Sequence, residues 1–238
     1  MQQKSDLTVS FVIPALNEEK VIRPVLEDIV GTCREYLREF EVIAVNDGSA
    51  DRTGEIMDEV ASEFPEVRVI HNVKNENIGA AYKKGIKLAK FDYYMLLCGD
   101  GGLPAESLPK LFSQLGNADI IVPYMTNLKR IKTPFRYFIS RTYTGILNLI
   151  FRLDIKYYNG LPIHRLKRLR EIEISSDGFG FQGEILIKLI RTGNSYVQVP
   201  ILGAENTNKS SALKIKSIWS VGATFFNLLK ELNVYFRR

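Results

Sequence analysis

The chain has 238 residues, a net charge of +5 and 45% hydrophobic residues, which suffices for the core of one large domain. Its two cysteines exclude a disulfide scaffold and are typical of a reducing compartment. The first ten residues lack the apolar core of a signal peptide. Uncharged stretches do not exceed 13 residues, whereas a bilayer span needs about 20. We therefore expect a cytoplasmic protein that does not cross a membrane.

The charge is distributed unevenly along the chain. Residues 1–128 carry 13 Lys and Arg against 20 Asp and Glu, whereas residues 129–170 carry 11 against one. Residues 206–238 are basic again. This division indicates a surface for an anionic ligand, and phosphate groups, a membrane face and nucleic acid are all open at this point.

Strand and helix patterns alternate in the first half. Short β-branched and apolar runs predict strands at residues 7–13, 41–46, 67–71, 93–97 and 120–123. Helical spacing of apolar residues predicts helices at 18–37, 51–64, 79–90 and 105–115. The alternation predicts an α/β fold with a mainly parallel sheet, whose ligand lies beyond the carboxyl ends of the strands.

The second half is less regular. It contains helical patterns at residues 135–153, 181–192 and 214–232 and one strand pattern at 195–200. The first and the last of these helices are basic and amphipathic. Polar clusters follow three of the strands of the first half, at Asn17-Glu18, Asp47 and Asp100. Parallel strands bring such clusters to one edge of the sheet, which is the first functional signal.

Ordered motifs carry a resemblance to a known family. They are Pro14-Ala15-Leu16-Asn17-Glu18-Glu19, residues 45–53 (VNDGSADRT), Asn77-Ile78-Gly79, residues 180–184 (GFQGE) and Val199-Pro200-Ile201. Together they resemble glycosyltransferase family 2 over about residues 7–216, in particular its dolichol-phosphate mannosyltransferase and polyprenyl-phosphate glycosyltransferase branch. The resemblance implies the nucleotide-sugar-binding GT-A fold. It also implies inverting transfer of a sugar from a donor of the GDP-mannose or UDP-glucose type to a polyprenyl (dolichyl-type) phosphate.

The resemblance divides the chain and assigns a donor site. It implies a GT-A domain over residues 1–205, with a donor half of about 1–128 and an acceptor half of about 129–205, followed by a basic amphipathic helix in 206–238. The implied nucleotide-sugar-binding residues are Pro14, Ala15, Asn17, Glu18, Asp47, Gly48, Ser49, Asn77, Gly79, Cys98, Gly99 and Asp100. The Asp47 carboxylate suits the ring N–H of uracil or guanine, although Asp-Gly-Ser is also turn chemistry.

The sequence Cys98-Gly99-Asp100 departs from the family's Asp-x-Asp motif, whose carboxylates hold Mg2+ or Mn2+ on the pyrophosphate. Cys98 occupies the first position, and only the second carboxylate is present. Mg2+ is often bound by one or two carboxylates together with phosphate oxygens and water. The resemblance thus implies a divalent cation held, more weakly than in the family, by Asp100 and Gln182. The alternative for Asp100 is a turn residue.

The implied catalytic residues are Asp100, Arg141 and Glu184. Arg141 matches a family position that contacts the donor diphosphate or the acceptor phosphate, and a solvated arginine is the alternative. Glu184 would position the acceptor or act as a base, which a sugar hydroxyl requires and a lipid phosphate does not. A glutamate on a helix surface is the alternative there.

The basic, aromatic helices are predicted to lie peripherally on an anionic membrane surface at the cytoplasmic face. Packing on the sheet and a homodimer are the alternatives. Nucleic acid is not expected, because the aromatic residues lie on a helix rather than on a stacking strand. Two rival functions stay open: a soluble transferase acting on a glycan hydroxyl, and a non-catalytic nucleotide-sugar- or partner-binding module that has lost the first Asp.

Overall fold

A seven-stranded sheet forms the centre of the fold in a computed structural model, which describes residues 5–176, 178 and 180–204. The strands are β1 (Val9–Ala15), β2 (Phe40–Asn46), β3 (Val67–His71), β4 (Tyr93–Leu96), β5 (Ile120–Met125), β6 (Ile163–Arg165) and β7 (Tyr196–Ile201). The helices are α1 (Ile22–Tyr36), α2 (Thr53–Glu63), α3 (Ile78–Leu88), α4 (Leu108–Phe112), α5 (Leu128–Ile131), α6 (Pro134–Phe151), α7 (Leu166–Leu169) and α8 (Phe181–Arg191). The strand order is β3-β2-β1-β4-β6-β5-β7.

The sheet is mainly parallel, as the sequence predicts. Strands β1 to β4 are parallel, β5 is parallel to β7, and β6 is antiparallel to both of its neighbours. Because β6 is antiparallel to both β4 and β5, these two strands run in the same direction, and β7 runs parallel to β5. The carboxyl ends of six strands therefore lie along one edge of the sheet.

The strands are apolar throughout because both faces of the sheet are covered. In β1, Phe11 and Ile13 face the layer that α1, α2 and α4 cover. Val12, which lies between them, faces the opposite layer, where α3, α6 and α8 pack. Alternate side chains thus feed two cores, and the helices flank the sheet on both sides.

Three expectations differ from the fold or lie outside it. The first helix begins at Ile22 rather than at residue 18, since the chain from Glu18 to Val21 forms a turn. The predicted helix at 214–232 and the predicted domain boundary at 205/206 lie outside the described residues, so both stay predictions. Among the helices of the described part, none has the length and apolarity that crossing a bilayer requires.

Candidate active site

The turns after β1 and β2 are joined by hydrogen bonds at the carboxyl edge of the sheet. Asn17 adopts a left-handed backbone conformation with φ of 57°, which asparagine tolerates well. Its N–H donates to Ser49 Oγ (3.0 Å), and its Oδ1 accepts from the Ala50 N–H (2.8 Å). The Glu18 N–H donates to Thr53 Oγ1 (2.8 Å). Asn17 and Ser49 thereby fix the relative position of the two turns.

Asp47 organises the loop that leads into α3. Its side chain is buried (5% exposed), and Oδ1 accepts from Asn72 Nδ2 (2.8 Å) and the Glu76 N–H (2.9 Å). Oδ2 accepts from the N–H of Asn77 (3.1 Å), the residue before α3. An ionised carboxylate has about four acceptor positions, so one is left for a ligand. Recognition of a nucleobase by Asp47 stays a prediction.

Close backbone approaches require two of the predicted glycines. Gly48 has φ of 76°, and a Cβ there would lie 2.7 Å from the carbonyl carbon of Lys74. A Cβ on Gly99 would lie 2.8 Å from the Ala15 Cβ and 3.1 Å from the Pro14 carbonyl oxygen, which accepts from the Gly99 N–H at 3.2 Å. The predicted donor residues of β1 and of the segment after β4 are thus in contact. Gly79 is buried in the first turn of α3.

Acidic groups accumulate near Asp100. Asp100 is exposed, and its Oδ1 accepts from the Gly102 N–H (3.0 Å). Burial and the charges of Asp100 and Asp51 raise the pKa of Glu18. Burial, Asp100 and Glu18 raise the pKa of Cys98 to about 12, so this thiol is neutral at physiological pH. The negative potential favours a cation, but Cys98 supplies no anionic ligand.

A divalent cation fits this edge only as a partner of a bound phosphate. Within the described residues, there is no group of three or more His, Cys, Asp or Glu side chains that could hold a metal ion. Asp100 offers one carboxylate, and hard cations accept one or two carboxylates when phosphate oxygens and water complete the shell. The cation ligands that the protein itself supplies are therefore few.

Gln182 is buried and unpaired. It lies in the first turn of α8 and is 4% exposed. Neither its Nε2 nor its Oε1 has a hydrogen-bond partner among the described residues. Its predicted role as a metal ligand stays a prediction.

Glu184 is saturated with hydrogen bonds. It is 1% exposed, and its Oε1 accepts from the Ser175 N–H (2.7 Å), Ser175 Oγ (2.8 Å) and Lys188 Nζ (2.8 Å). Its Oε2 accepts from the Ser176 N–H (3.0 Å). Burial alone would raise the pKa of Glu184, but the bonds from Lys188 and Ser175 outweigh it and hold the pKa below the ordinary 4.5. This setting is that of a structural carboxylate, and a base role for Glu184 stays a prediction.

We expect Glu184→Gln to lower the free energy of unfolding by about 3–5 kcal/mol, because the buried Lys188 ammonium loses its carboxylate. Since the folded-state pKa lies below 4.5, the wild-type stabilisation is complete above that pH and is lost as the pH falls through the folded-state value. Urea unfolding between pH 3 and 7 measures both effects. The matched control, Glu184→Leu with Lys188→Met, should recover most of the loss. Normal stability with abolished transfer would instead favour the base role.

A basic cavity lies at the carboxyl end of β5. Its volume is about 250 Å³. Lys129, Arg141 and Lys156 line it, and none of the three has a carboxylate partner in the described part of the chain. The other lining residues are Tyr124, Met125, Thr126, Leu128, Tyr137 and Tyr157. Three uncompensated cations around one cavity favour the binding of an anion.

Tyrosine rings lie beside two of these three cations and do not neutralise them. Lys156 Nζ lies 4.3 Å from the centre of the Tyr124 ring, and Lys129 Nζ lies 5.8 Å from that of Tyr137. Arg141 reaches the cavity from α6, as its predicted phosphate contact requires. Sequence reasoning missed Lys129, Lys156 and Tyr124 as individual site residues. The excess of positive charge over residues 129–170 was the available signal, but it did not single them out.

A mainly parallel sheet with glycine turns and carboxylates at its carboxyl edge, beside a cation-lined cavity, is typical of α/β enzymes that bind phosphorylated ligands. The family model described as glycosyl transferase family 2 matches residues 10–181. The chain belongs to this family and is a glycosyltransferase.

Two curated relatives carry related names. An undecaprenyl-phosphate mannosyltransferase of Micrococcus luteus is 29% identical over an alignment of 209 residues that covers 84% of this chain and 84% of the relative. A dolichol-phosphate mannosyltransferase of Pyrococcus furiosus is 30% identical over an alignment of 233 residues that covers 94% of this chain. The chain spans 64% of that relative's length. These names match the predicted polyprenyl-phosphate branch.

Solved structures confirm the fold. Glucosyl-3-phosphoglycerate synthase from Mycobacterium tuberculosis, in complex with Mn2+, UDP-glucose and phosphoglyceric acid, superposes with a TM-score of 0.71 at 19% identity. The match covers 93% of this chain and 79% of the synthase. The complex of the same enzyme with Mg2+ and UDP gives a TM-score of 0.70 at 18% identity. At this identity the likeness supports the predicted GT-A type of fold and nothing about substrates.

Proposed function

We propose that the chain transfers a sugar from a nucleoside-diphosphate sugar, of the GDP-mannose or UDP-glucose type, to a polyprenyl phosphate at the cytoplasmic face of a membrane. The observation that carries the proposal is the pairing of two sites on one sheet edge. The turns after β1, β2 and β4 offer a nucleotide site, and the cavity after β5 offers cations for a phosphate. The names of the two mannosyltransferases support the polyprenyl phosphate.

On the donor side, Asp47 would accept the ring N–H of the base, and the backbone at Gly48 and Gly99 would allow close approach of the nucleotide. Asp100 would hold a Mg2+ or Mn2+ ion against the diphosphate. The cation would neutralise charge on the leaving nucleoside diphosphate. Because Asp100 is the motif's one remaining carboxylate, most of the cation's affinity would come from the diphosphate oxygens.

On the acceptor side, Lys129, Arg141 and Lys156 would hold the lipid phosphate. A phosphate monoester is already an anion at neutral pH, so its oxygen attacks without a general base. This agrees with the saturated state of Glu184. Attack from the face opposite the diphosphate inverts the anomeric carbon through an oxocarbenium-like state.

The outer face of α6 supports contact with a membrane. Phe135 and Phe138 are each 68% exposed, and Leu149 is 81% exposed on the same side of the helix. Exposed basic side chains outside the cavity lie on α5 and at the end of α6, including Arg130 and Arg152. Each Lys or Arg near an anionic surface adds about 1 kcal/mol of attraction. A peripheral position would bring the cavity to the lipid phosphate.

A transfer assay tests the proposal. Labelled GDP-mannose or UDP-glucose is incubated with the full chain, Mn2+ and either polyprenyl phosphate in anionic vesicles or a soluble glycan. We expect label in the lipid fraction. Label in the glycan alone, with a requirement for Glu184, would support the soluble transferase. Absence of transfer from every common donor, with Asp100→Ala leaving donor binding unchanged, would refute the proposal.

The neutral Cys98 thiol favours a second candidate, a nucleotide-sugar-binding module without transfer. Cys98→Asp distinguishes the two. For an active enzyme we expect the half-saturating Mn2+ concentration to fall about tenfold, because a second carboxylate joins the cation site. Under the second candidate the wild type shows no transfer and the variant gains it. Initial rates over a Mn2+ titration measure the difference, and Cys98→Ser controls for loss of the thiol.

A further inference from the structure

The first turn of α8 lies at the edge of the sheet that carries the active site. Residues 192–195 connect α8 to β7, and β7 runs toward the carboxyl edge. A helix joined to the start of β7 by so short a turn runs in the opposite direction, so α8 begins at that edge. Its N-cap residue, Gly180, provides no side-chain cap. The turn therefore presents the positive end of an 11-residue helix to the active site.

Gln182 is the first residue, in chain order, of the stripe of α8 that faces the sheet. Positions 182, 185, 186 and 189 share one face of a helix. Ile185, Leu186 and Leu189 are buried in the core layer between α8 and the sheet. Gln182 continues this stripe by one turn toward the start of α8, which is the end of the helix that lies at the carboxyl edge of the sheet.

The carboxamide is buried without a partner, and such burial is unfavourable. Gln182 is 4% exposed, and both of its polar side-chain atoms lack a hydrogen bond among the described residues. A methionine or leucine would fill this position without that penalty. A polar group that is both buried and unpaired at an active-site edge indicates a partner that arrives with the ligand.

The chemistry of the carboxamide selects among ligands. It presents a donor NH2 and an acceptor oxygen side by side. A phosphate group only accepts hydrogen bonds, and a cation would use the oxygen alone. Neighbouring hydroxyls of a sugar ring donate and accept, so they satisfy both atoms.

We infer that Gln182 binds the hydroxyl groups of the sugar that is transferred and sets the specificity for that sugar. The inference rests on the proposed function, since it needs a nucleotide-sugar donor. It gives Gln182 a role other than the metal ligand predicted from the sequence. Gln182 would then recognise the hexose, while Asp47 and Asp100 contact the nucleotide part of the donor.

The test compares donor binding with and without the sugar. Calorimetry measures the binding of GDP-mannose, UDP-glucose, GDP and UDP, each with Mn2+, to the wild type and to Gln182→Met. We expect the variant to bind the nucleotide sugar at least about tenfold more weakly, since a site that loses one hydrogen bond to a hydroxyl loses about this much. Binding of the nucleoside diphosphate should change less than about twofold. The ligand-free variant should melt at a higher temperature, and Gln114→Met is the matched control.

A second variant separates sugar from metal. Gln182→Glu keeps the length and the acceptor oxygens but loses the NH2 donor. If Gln182 contacts the sugar, this variant should bind the nucleotide sugar more weakly and the nucleoside diphosphate as the wild type does. If Gln182 is a metal ligand, the variant should bind the nucleoside diphosphate with Mn2+ more tightly, and that result would overturn the inference. Unchanged binding of both ligands in Gln182→Met would also overturn it. Wild-type protein that binds neither ligand would refute the proposed function itself.

Discussion

Asp100→Asn should reduce the rate of sugar transfer at saturating substrate by about 10²–10³-fold. Removing one group that stabilises charge on a leaving group has an effect of this size. Asp100 is exposed and makes one local bond, to the Gly102 N–H, so the melting temperature should stay within a degree or two of the wild type. Initial rates with Mn2+ and a labelled donor measure the loss. Asp28→Asn, which removes an exposed carboxylate from α1, is the matched control and should be fully active.

The dependence on Mn2+ shows how Asp100 acts. If Asp100 holds the cation, the variant requires a higher Mn2+ concentration and its remaining activity responds to added metal. If Asp100 is only a turn residue, Asn supports the same turn through its own side-chain oxygen, and the variant keeps wild-type rates and wild-type Mn2+ dependence. The second result would remove Asp100 from the active site.

The convergence of the turns after β1, β2 and β4 at one edge was predictable from the sequence because local signals are sufficient there. Short apolar runs define β1, β2 and β4, and parallel strands bring the residues that follow them to one edge. Turn chemistry at Asn17, Gly48 and Gly99 marks the places where the backbone changes direction or approaches another segment. The roles of Asp47 were less predictable, since its hydrogen bonds come from residues 72–77, whose positions depend on the folded loop.

Features that depend on contacts between residues far apart in the sequence were not predictable. Strand β6 has only three residues, Ile163–Arg165, too few to show a period, and it owes its conformation to its two neighbours. The cavity joins Tyr124 to Lys156, which are 32 residues apart and meet only because of the path of the chain around β5. The sequence predicts a surface or catalytic role for Glu184. It does not reveal the hydrogen bonds that bury Glu184, because the partners Ser175 and Ser176 lie in an irregular segment.

Substitutions in the basic cavity should have the second large effect on sugar transfer, through the KM for the acceptor. We expect Arg141→Ala and Lys156→Ala each to raise the KM for a polyprenyl phosphate about tenfold or more, because each removes a charge-assisted bond to the phosphate. Donor binding should be unchanged. Arg141→Lys should recover part of the affinity but not all of it, since a lysine cannot bind a phosphate through two parallel N–H groups. Steady-state kinetics over a range of acceptor concentrations measure the effect, and Lys110→Ala, an exposed cation on α4, controls for net charge.

Lys132, which supports the cavity, adds a dependence on pH. Its Nζ donates to the Tyr157 hydroxyl (3.1 Å) and to Ser140 Oγ (3.2 Å), and burial together with Arg136 lowers its pKa to about 8. The ammonium is therefore charged below that pH and neutral above it, so the acceptor KM should rise as the pH passes 8. Lys132→Arg stays charged and should flatten this rise.

Vesicle sedimentation separates an acceptor site from general membrane attraction. A loss of vesicle binding in Arg141→Ala and Lys156→Ala that matches the rise in KM would assign these residues to the membrane surface instead.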